Sequence, residues 1–134
     1  MRVEGACHCG RIRFAAELPD GLASARRCDC PFCAMRGAVA VSAPIEDFDI
    51  IDGAEHLKLY TFNTGTARHY FCRHCGIYTH HLRRSNPDEY GVNLACIEGA
   101  TPFLSEVNVT DGQNHPSDGA PPRIVGTLRY EPRE

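Results

Sequence analysis

The chain has 134 residues, 43% of them hydrophobic and 23% charged, with a formal net charge of -3 at pH 7. That length suits one domain spanning 1–134, and so small a net charge, with acids and bases interspersed, excludes the concentrated basic field of a nucleic-acid surface. No run approaches the ~20 apolar residues that a bilayer span needs. The N-terminal Met1-Arg2-Val3-Glu4-Gly5 has no apolar segment of the secretory kind, so neither nucleic acid nor membrane is expected as a partner, and a reducing cytoplasm is the expected compartment.

In chain order, Gly5-Ala6-Cys7-His8-Cys9-Gly10 precedes a half-buried strand at Arg11-Ile12-Arg13-Phe14-Ala15, and Pro19-Asp20-Gly21 is a turn. Ser24 to Arg36, with three cysteines and Pro31, reads as an irregular loop organised by metal. Gly37 to Ser42 is small and apolar, as a buried strand would be, and Pro44 to Phe48 has room for one helical turn. Leu57 to Phe62 is a strand ending at the polar turn Asn63-Thr64-Gly65-Thr66. Ala67 to Phe71 and Ile77 to Leu82 form a hairpin with Cys72 to Cys75 at its tip, and Ser85 to Asp88 is a turn or a capped helical turn. Tyr90 to Ile97 alternates with Val92, Leu94 and Cys96 on one face. Val107 and Val109 mark another short strand, Asp111 to Pro122 an exposed loop, and Ile124 to Tyr130 an edge or closing strand. The predicted architecture is mainly β with metal-bearing loops.

Eight cysteines, at 7, 9, 28, 30, 33, 72, 75 and 96, are a large excess for this length. An even count also suits disulfides, but no secretion signal is present and a Cys-x-Cys pair bridges internally only with difficulty. Soft thiolates favour zinc over calcium or magnesium, while iron–sulfur chemistry is compatible with the ligand type alone. A closed zinc site takes four ligands and an open one takes three. Cys7/Cys9 and Cys72/Cys75 each need a partner pair, whereas Cys28-Asp29-Cys30-Pro31-Phe32-Cys33 can wrap an ion alone. The spacing therefore predicts two zinc ions: one closed on Cys7, Cys9, Cys72 and Cys75, one open on Cys28, Cys30 and Cys33. An open ion can take a substrate thiol as its fourth ligand and lower that thiol's pKa, which suits thiol chemistry.

The other polar candidates each have a plain structural reading. Cys96 is a buried small hydrophobe, or a fourth ligand or redox partner of the open site. His8 and His74 sit within the cysteine pairs and suit outer-shell or surface roles. His69, His80 and His81 are strand residues of which one could handle a proton. Arg36 could grip a substrate carboxylate, and Asn63, Thr64 and His69 could join it at a thiol substrate. Thr66 and Asn93 fit turn and strand-end duties equally well.

These motifs together resemble the glutathione-dependent formaldehyde-activating enzyme family, also called Gfa-like or CENP-V/GFA domain proteins. The resemblance spans about residues 3–110 and rests on Gly5 to Gly10 with Ile12 and Phe14, and on Cys28 to Cys33 with Arg36-Gly37. It continues through Tyr60-Thr61-Phe62-Asn63-Thr64-Gly65-Thr66-Ala67-Arg68-His69, Phe71 to Ile77, and Val92 to Gly99. Where this chain has Pro31 and Ala34, the family often has serine and a basic residue. The resemblance implies a mainly β fold like that of the Mss4 proteins, a structural zinc on Cys7, Cys9, Cys72 and Cys75, and a catalytic zinc on Cys28, Cys30 and Cys33. It also implies a carbon–sulfur lyase reaction joining formaldehyde to glutathione as S-(hydroxymethyl)glutathione. Cleavage or transfer on another thiol adduct, a non-catalytic zinc or thiol-binding module, and a protein-binding domain are the competing readings; oligomeric state is left open.

Overall fold

Eleven strands and one short α-helix organise the described residues, 1–114 and 121–133 of a computed structural model. They are β1 (Arg2–Ala6), β2 (Arg13–Glu17), β3 (Arg26–Cys28), α1 (Pro31–Arg36), β4 (Ala40–Pro44), β5 (Phe48–Asp52), β6 (Leu57–Tyr60), β7 (Arg68–Cys72), β8 (Tyr78–Leu82), β9 (Glu89–Asn93), β10 (Glu106–Thr110) and β11 (Ile124–Arg129). Strands β1, β2 and β5 form a three-stranded antiparallel sheet. The other eight run in the order β11-β10-β3-β4-β9-β8-β7-β6, antiparallel except for the parallel pair β3 and β10. The fold is mainly β, as expected, with no helix long and apolar enough to cross a membrane among the described residues.

The inward faces of the sheets meet over one apolar core. Phe14 of β2 stacks on Phe48 of β5 at 5.2 Å, and Val41, Val92 and Leu94 close the other side, all fully buried. Each such side chain contributes about 1.5–3 kcal/mol on burial, which is where most of the fold's stability arises. Gly5 lies where β1 bridges to Ile97. A Cβ there would overlap the Phe14 ring and approach the Cys96 carbonyl to 2.6 Å, so only glycine lets the two segments close up.

Several expected elements are present with shifted ends: β2 begins two residues late, and the predicted strand at Tyr90 to Ile97 becomes β9 followed by a 3-10 turn over Leu94–Cys96. The hairpin of β7 and β8 is found, and β11 is the edge strand predicted. Three expectations need correction. Strands β1 and β5 are additional; the first is interrupted in pattern by Gly5, and the second, Phe48-Asp-Ile-Ile-Asp, is half exposed. The segment Ser24 to Arg36 is not an irregular loop but β3 followed by α1. Cys30 caps that helix by accepting from the Cys33 amide, Pro31 occupies the first turn, and Gly37 closes it at φ 70. Asp111 is buried and not part of an exposed loop, because its carboxylate accepts from the amides of Gln113 and Asn114 and pairs with Arg123 Nε at 3.0 Å. Residues 115–120 of the predicted loop lie outside the described residues.

His80 is packed in the core between Phe48, Tyr70 and Tyr90, with ring centroids 4.4, 4.7 and 5.1 Å away, and its Nδ1 meets the Thr79 hydroxyl at 2.8 Å. Burial lowers its pKa to about 3. The unfolded chain takes up this proton near the ordinary histidine pKa and the folded chain does not, so stability falls as the pH drops from about 6.5 toward 3. Between pH 7 and pH 5 this one group should remove about 2 kcal/mol of stability. Urea unfolding of the wild type and of His80→Gln at both pH values checks this: the variant should lose that part of the pH dependence, whatever its effect at pH 7.

Candidate metal centres and active-site cavity

Two cysteine loops from distant parts of the chain are built alike. In the first, Cys7 N donates to Ile12 O at 3.1 Å and Ile12 N returns to Cys7 Sγ at 3.4 Å. In the second, Cys72 N donates to Ile77 O at 3.0 Å, and the amides of His74 and Cys75 reach Cys72 Sγ at 3.4 and 3.5 Å. The turn closes through Gly76 at φ 77, a left-handed position that suits glycine. These amides supply partial positive charge to sulfur, as the sequence of the knuckle implied.

The loops bring the sulfurs of Cys7, Cys9, Cys72 and Cys75 within 4.8 Å of one another. Cys7 and Cys9 are 3.6 Å apart at sulfur, and Cys9 and Cys72 are 3.7 Å apart across 63 residues. A tetrahedral Zn–S distance of about 2.3 Å requires S···S separations of roughly 3.8 Å, which these two separations match. All eight cysteines are free thiols. The Arg11 amide and guanidinium, beside exposed Cys9, lower that thiol's pKa to about 6, while burial raises that of Cys7 to about 11.

Cys28, Cys30 and Cys33 form a second cluster, again within 4.8 Å. Cys28 ends β3, which is held in register by β10 (Thr110 opposite Cys28); Cys30 caps α1, and Cys33 lies in its first turn. Cys30 N points at Cys28 Sγ (3.5 Å) and Cys33 N at Cys30 Sγ (3.3 Å). Hydrogen bonds from its two neighbouring thiols lower the Cys30 pKa to about 2, and the same contacts hold Cys33 far above the ordinary thiol range. Three sulfurs this close accept one negative charge readily and further charge only against a cation, which is the behaviour of a metal-binding set.

The chain after β10 packs against this cluster. Gly112 N donates to Asp29 Oδ1 at 2.7 Å, and a Cβ on Gly112 would overlap Cys28 Sγ and stand 2.7 Å from Cys30 Cβ. On its open side the cluster faces a cavity of about 860 Å³. Phe32 and Phe62 form its apolar wall; Arg26, Arg36, Arg83, Arg84 and Arg123 supply positive charge, against one lining carboxylate among the described residues, Asp111. Arg26 is largely buried, and burial lowers its pKa to about 10; it donates to Ser24 O and Ser42 Oγ. Arg83 pairs with Glu89.

Of the sequence candidates, Arg36, Asn63, Thr64 and His69 all line this cavity. Arg36 Nη1 meets His69 Nδ1 at 2.9 Å, its Nη2 points to Cys33 Sγ at 3.9 Å, and its guanidinium lies over the Tyr78 ring at 3.8 Å. Thr64 is exposed and bonded to Thr66. His81 also lines the cavity, whereas His80 belongs to the core. His8 is exposed, and exposed His74 meets His56 at 2.9 Å. Asn93 is buried, with its amide nitrogen on Tyr78 O. Cys96 is the buried core thiol of the plain reading: its Sγ points to Tyr78 O at 3.5 Å, burial raises its pKa to about 12, and it does not join the triplet. Sequence reasoning missed Tyr78, Gly112 and the arginines at 26, 83, 84 and 123. Their positions are set by pairing of distant strands, and no local motif marks them.

Such an arrangement defines a mainly β protein with two sulfur clusters able to hold metal, one of them beside a cationic, aromatic cavity. Residues 2–110 match the family described as Glutathione-dependent formaldehyde-activating enzyme, and the chain belongs to that family. A Halomonas elongata protein, provisionally named a glutathione-dependent formaldehyde-activating enzyme, is 32% identical over 83 residues, covering 56% of this chain. The match spans about half the length of that relative, 52%. A crystal structure of a Rhodobacter sphaeroides protein superposes with a TM-score of 0.73 at 58% identity, covering 74% of this chain and 91% of that one.

The close approach of Gly112 gives a steric test of the triplet. Gly112→Ala should weaken the triplet's hold on a soft divalent ion by about 10- to 100-fold, the usual effect of disturbing groups that orient ligands. Competition with a chromophoric chelator measures this, and circular dichroism should report an unchanged fold.

Proposed function

We propose that this protein is a zinc-dependent carbon–sulfur lyase that forms and cleaves S-(hydroxymethyl)glutathione or a closely similar thiol adduct. The observation that carries the reading is the three-cysteine cluster facing a cavity lined by arginines and aromatic rings. Family membership supports the same chemistry. In this reading the fold is of the Mss4-like kind, the quartet holds a structural zinc and the triplet a catalytic one, and a reducing cytoplasm keeps the thiols available.

The fit of zinc to both clusters rests on their all-sulfur donor sets and short separations. A zinc ion in the triplet supplies one thing when bound: it favours the deprotonated form of a substrate thiol that completes its coordination. The chain's own residues do the rest. Arg26, Arg83 and Arg123 offer fixed forks for the carboxylates of a peptide thiol, which an apolar cavity alone would exclude. Arg68 of β7 is exposed and does not line the cavity. Phe32 and Phe62 shield the reacting centre from water. The volume beside them also leaves room for a larger electrophile than formaldehyde, which favours, as a second reading, lyase or transfer chemistry on a bulkier thiol adduct.

Exchange between formaldehyde, glutathione and their adduct, followed by NMR, tests the reaction directly. Zinc-loaded protein should accelerate exchange well above buffer, and a rate equal to buffer at high protein concentration would remove the reading. The two zinc roles separate by mutation. Structural zinc sites contribute apparent binding energies of about 10–16 kcal/mol, so Cys9→Ser or Cys72→Ser should leave the chain largely unfolded. Cys28→Ser or Cys33→Ser should keep the circular dichroism spectrum and lose one zinc equivalent by atomic absorption. Equal unfolding by both classes would contradict the division of roles.

A further inference from the structure

The side chain of His69 is held in an unusual state for a group lining a cavity. It is 6% exposed, and its ring is flanked by Phe62 and His81 at 5.6 and 5.3 Å with tilts of only 16° and 20°, while Phe32 tilts against it at 4.4 Å. Its plane is therefore fixed by packing. Nδ1 lies 2.9 Å from Arg36 Nη1. An arginine donates only, so Nδ1 must accept, and in a neutral imidazole the hydrogen then resides on Nε2. Burial, and secondarily Arg36, lowers the His69 pKa to about 4, which keeps the ring neutral near pH 7. Nε2 is shielded from water and has no hydrogen-bond partner among the described residues. A buried donor left unpaired is costly and rare, and where one occurs beside a cavity it points to a partner that arrives with the substrate.

We propose that Arg36 locks His69 in the Nε2–H form, and that this N–H is the hydrogen-bond donor to the carbonyl or hydroxyl oxygen of the substrate. The assignment rests on the lyase reading above and adds the residue that acts on oxygen. As the thiol sulfur forms its bond to the carbonyl carbon, the C=O π pair moves onto oxygen, and His69 Nε2–H stabilises the growing charge. His69 keeps its proton throughout, because giving it up would leave an imidazolate. The proton that completes the hydroxyl is the one released by the thiol, so thiol plus aldehyde gives the hydroxymethyl thioether with nothing left over. Cleavage runs the same steps backward. His69 is thus a catalytic residue acting as a neutral donor, and Arg36 a positioning residue acting through it.

Two readouts on the zinc-loaded full chain decide this. Long-range 1H–15N correlation of the ring should place the His69 hydrogen on Nε2 in the wild type, and Arg36→Met should give a mixture of tautomers. Kinetically, His69→Phe, which preserves the aromatic stack and removes the donor, should lower turnover by about 100- to 1,000-fold while thiol affinity stays within about threefold. His69→Gln, which can still present an N–H, should retain more activity than the phenylalanine variant and serves as the comparison if that variant folds poorly. A hydrogen found on Nδ1, turnover unchanged in both variants, or a loss confined to thiol affinity would each overturn the proposal. A wild-type protein with no activity above buffer would instead remove the lyase reading and the donor role with it, and the ring tautomer would then decide only whether Arg36 holds His69 in the Nε2–H form.

Discussion

Sulfur atoms within about 5 Å of one another cannot all be thiolates unless a positive charge is placed among them. This constraint governs both ends of the molecule. The quartet joins the loop between β1 and β2, in one sheet, to the β7–β8 turn, in the other, across 63 residues. Around it only a small apolar group is available: Cys7, Ile12 and Cys72 are buried, with Ile50, Leu57 and Cys75 partly so. The main core of Phe14, Phe48, Val41 and Val92 lies elsewhere. A cation held by the four sulfurs would therefore do, at this end, what apolar burial does in the middle, and the amides aimed at Cys7 and Cys72 set partial positive charge beside those sulfurs.

The triplet obeys the same electrostatics with a different packing problem. Its sulfurs come from one strand end and one helix start, and they would be open on two sides if β10 did not run parallel to β3. That pairing carries the chain across the cluster at Gly112, where the absence of a Cβ permits contact with Cys28 and Cys30. One side is thereby sealed by backbone and the other faces the cavity. The family match ends at residue 110, whereas Asp111, Gly112, Arg123 and Ile124 all line the cavity. Both cysteine clusters thus lie within the shared region, and part of the cavity wall lies beyond it.

How much of this was legible in the sequence follows from the range of the interactions. The division of seven cysteines into four and three is local chemistry, since Cys-x-Cys and Cys-x-x-Cys spacing fixes which sulfurs can share an ion, and the structure gathers those same sets. The β7–β8 hairpin and β11 were readable from alternation and turn residues. Strand β1 was not, because Gly5 breaks the pattern for a reason visible only when Phe14 and the Cys96 carbonyl come near it. Helix α1 was hidden because its cap is Cys30, a residue whose spacing advertises metal binding and whose Sγ also accepts from the Cys33 amide. The cavity arginines were beyond reach: Arg26, Arg83 and Arg123 lie in strands or turns far apart in sequence, and only sheet order brings them to one place.

Histidine makes the same point at single-residue scale. His69, His80 and His81 look alike in sequence, all in the β7–β8 hairpin, yet the pleat separates them. His80 turns into the core among Phe48, Tyr70 and Tyr90, while His69 and His81 stack across neighbouring strands at 5.3 Å beside the cavity. What distinguishes His69 further is Arg36, whose one guanidinium touches Cys33 sulfur, His69 Nδ1 and the faces of Phe32 and Tyr78. A lysine could not serve in its place, because a compact ammonium cannot spread over two rings while directing separate N–H groups at a sulfur and a nitrogen. The planar fork therefore joins the two chemistries of the site: it sets positive charge against the sulfur cluster and, through the same plane, decides which nitrogen of His69 carries the hydrogen.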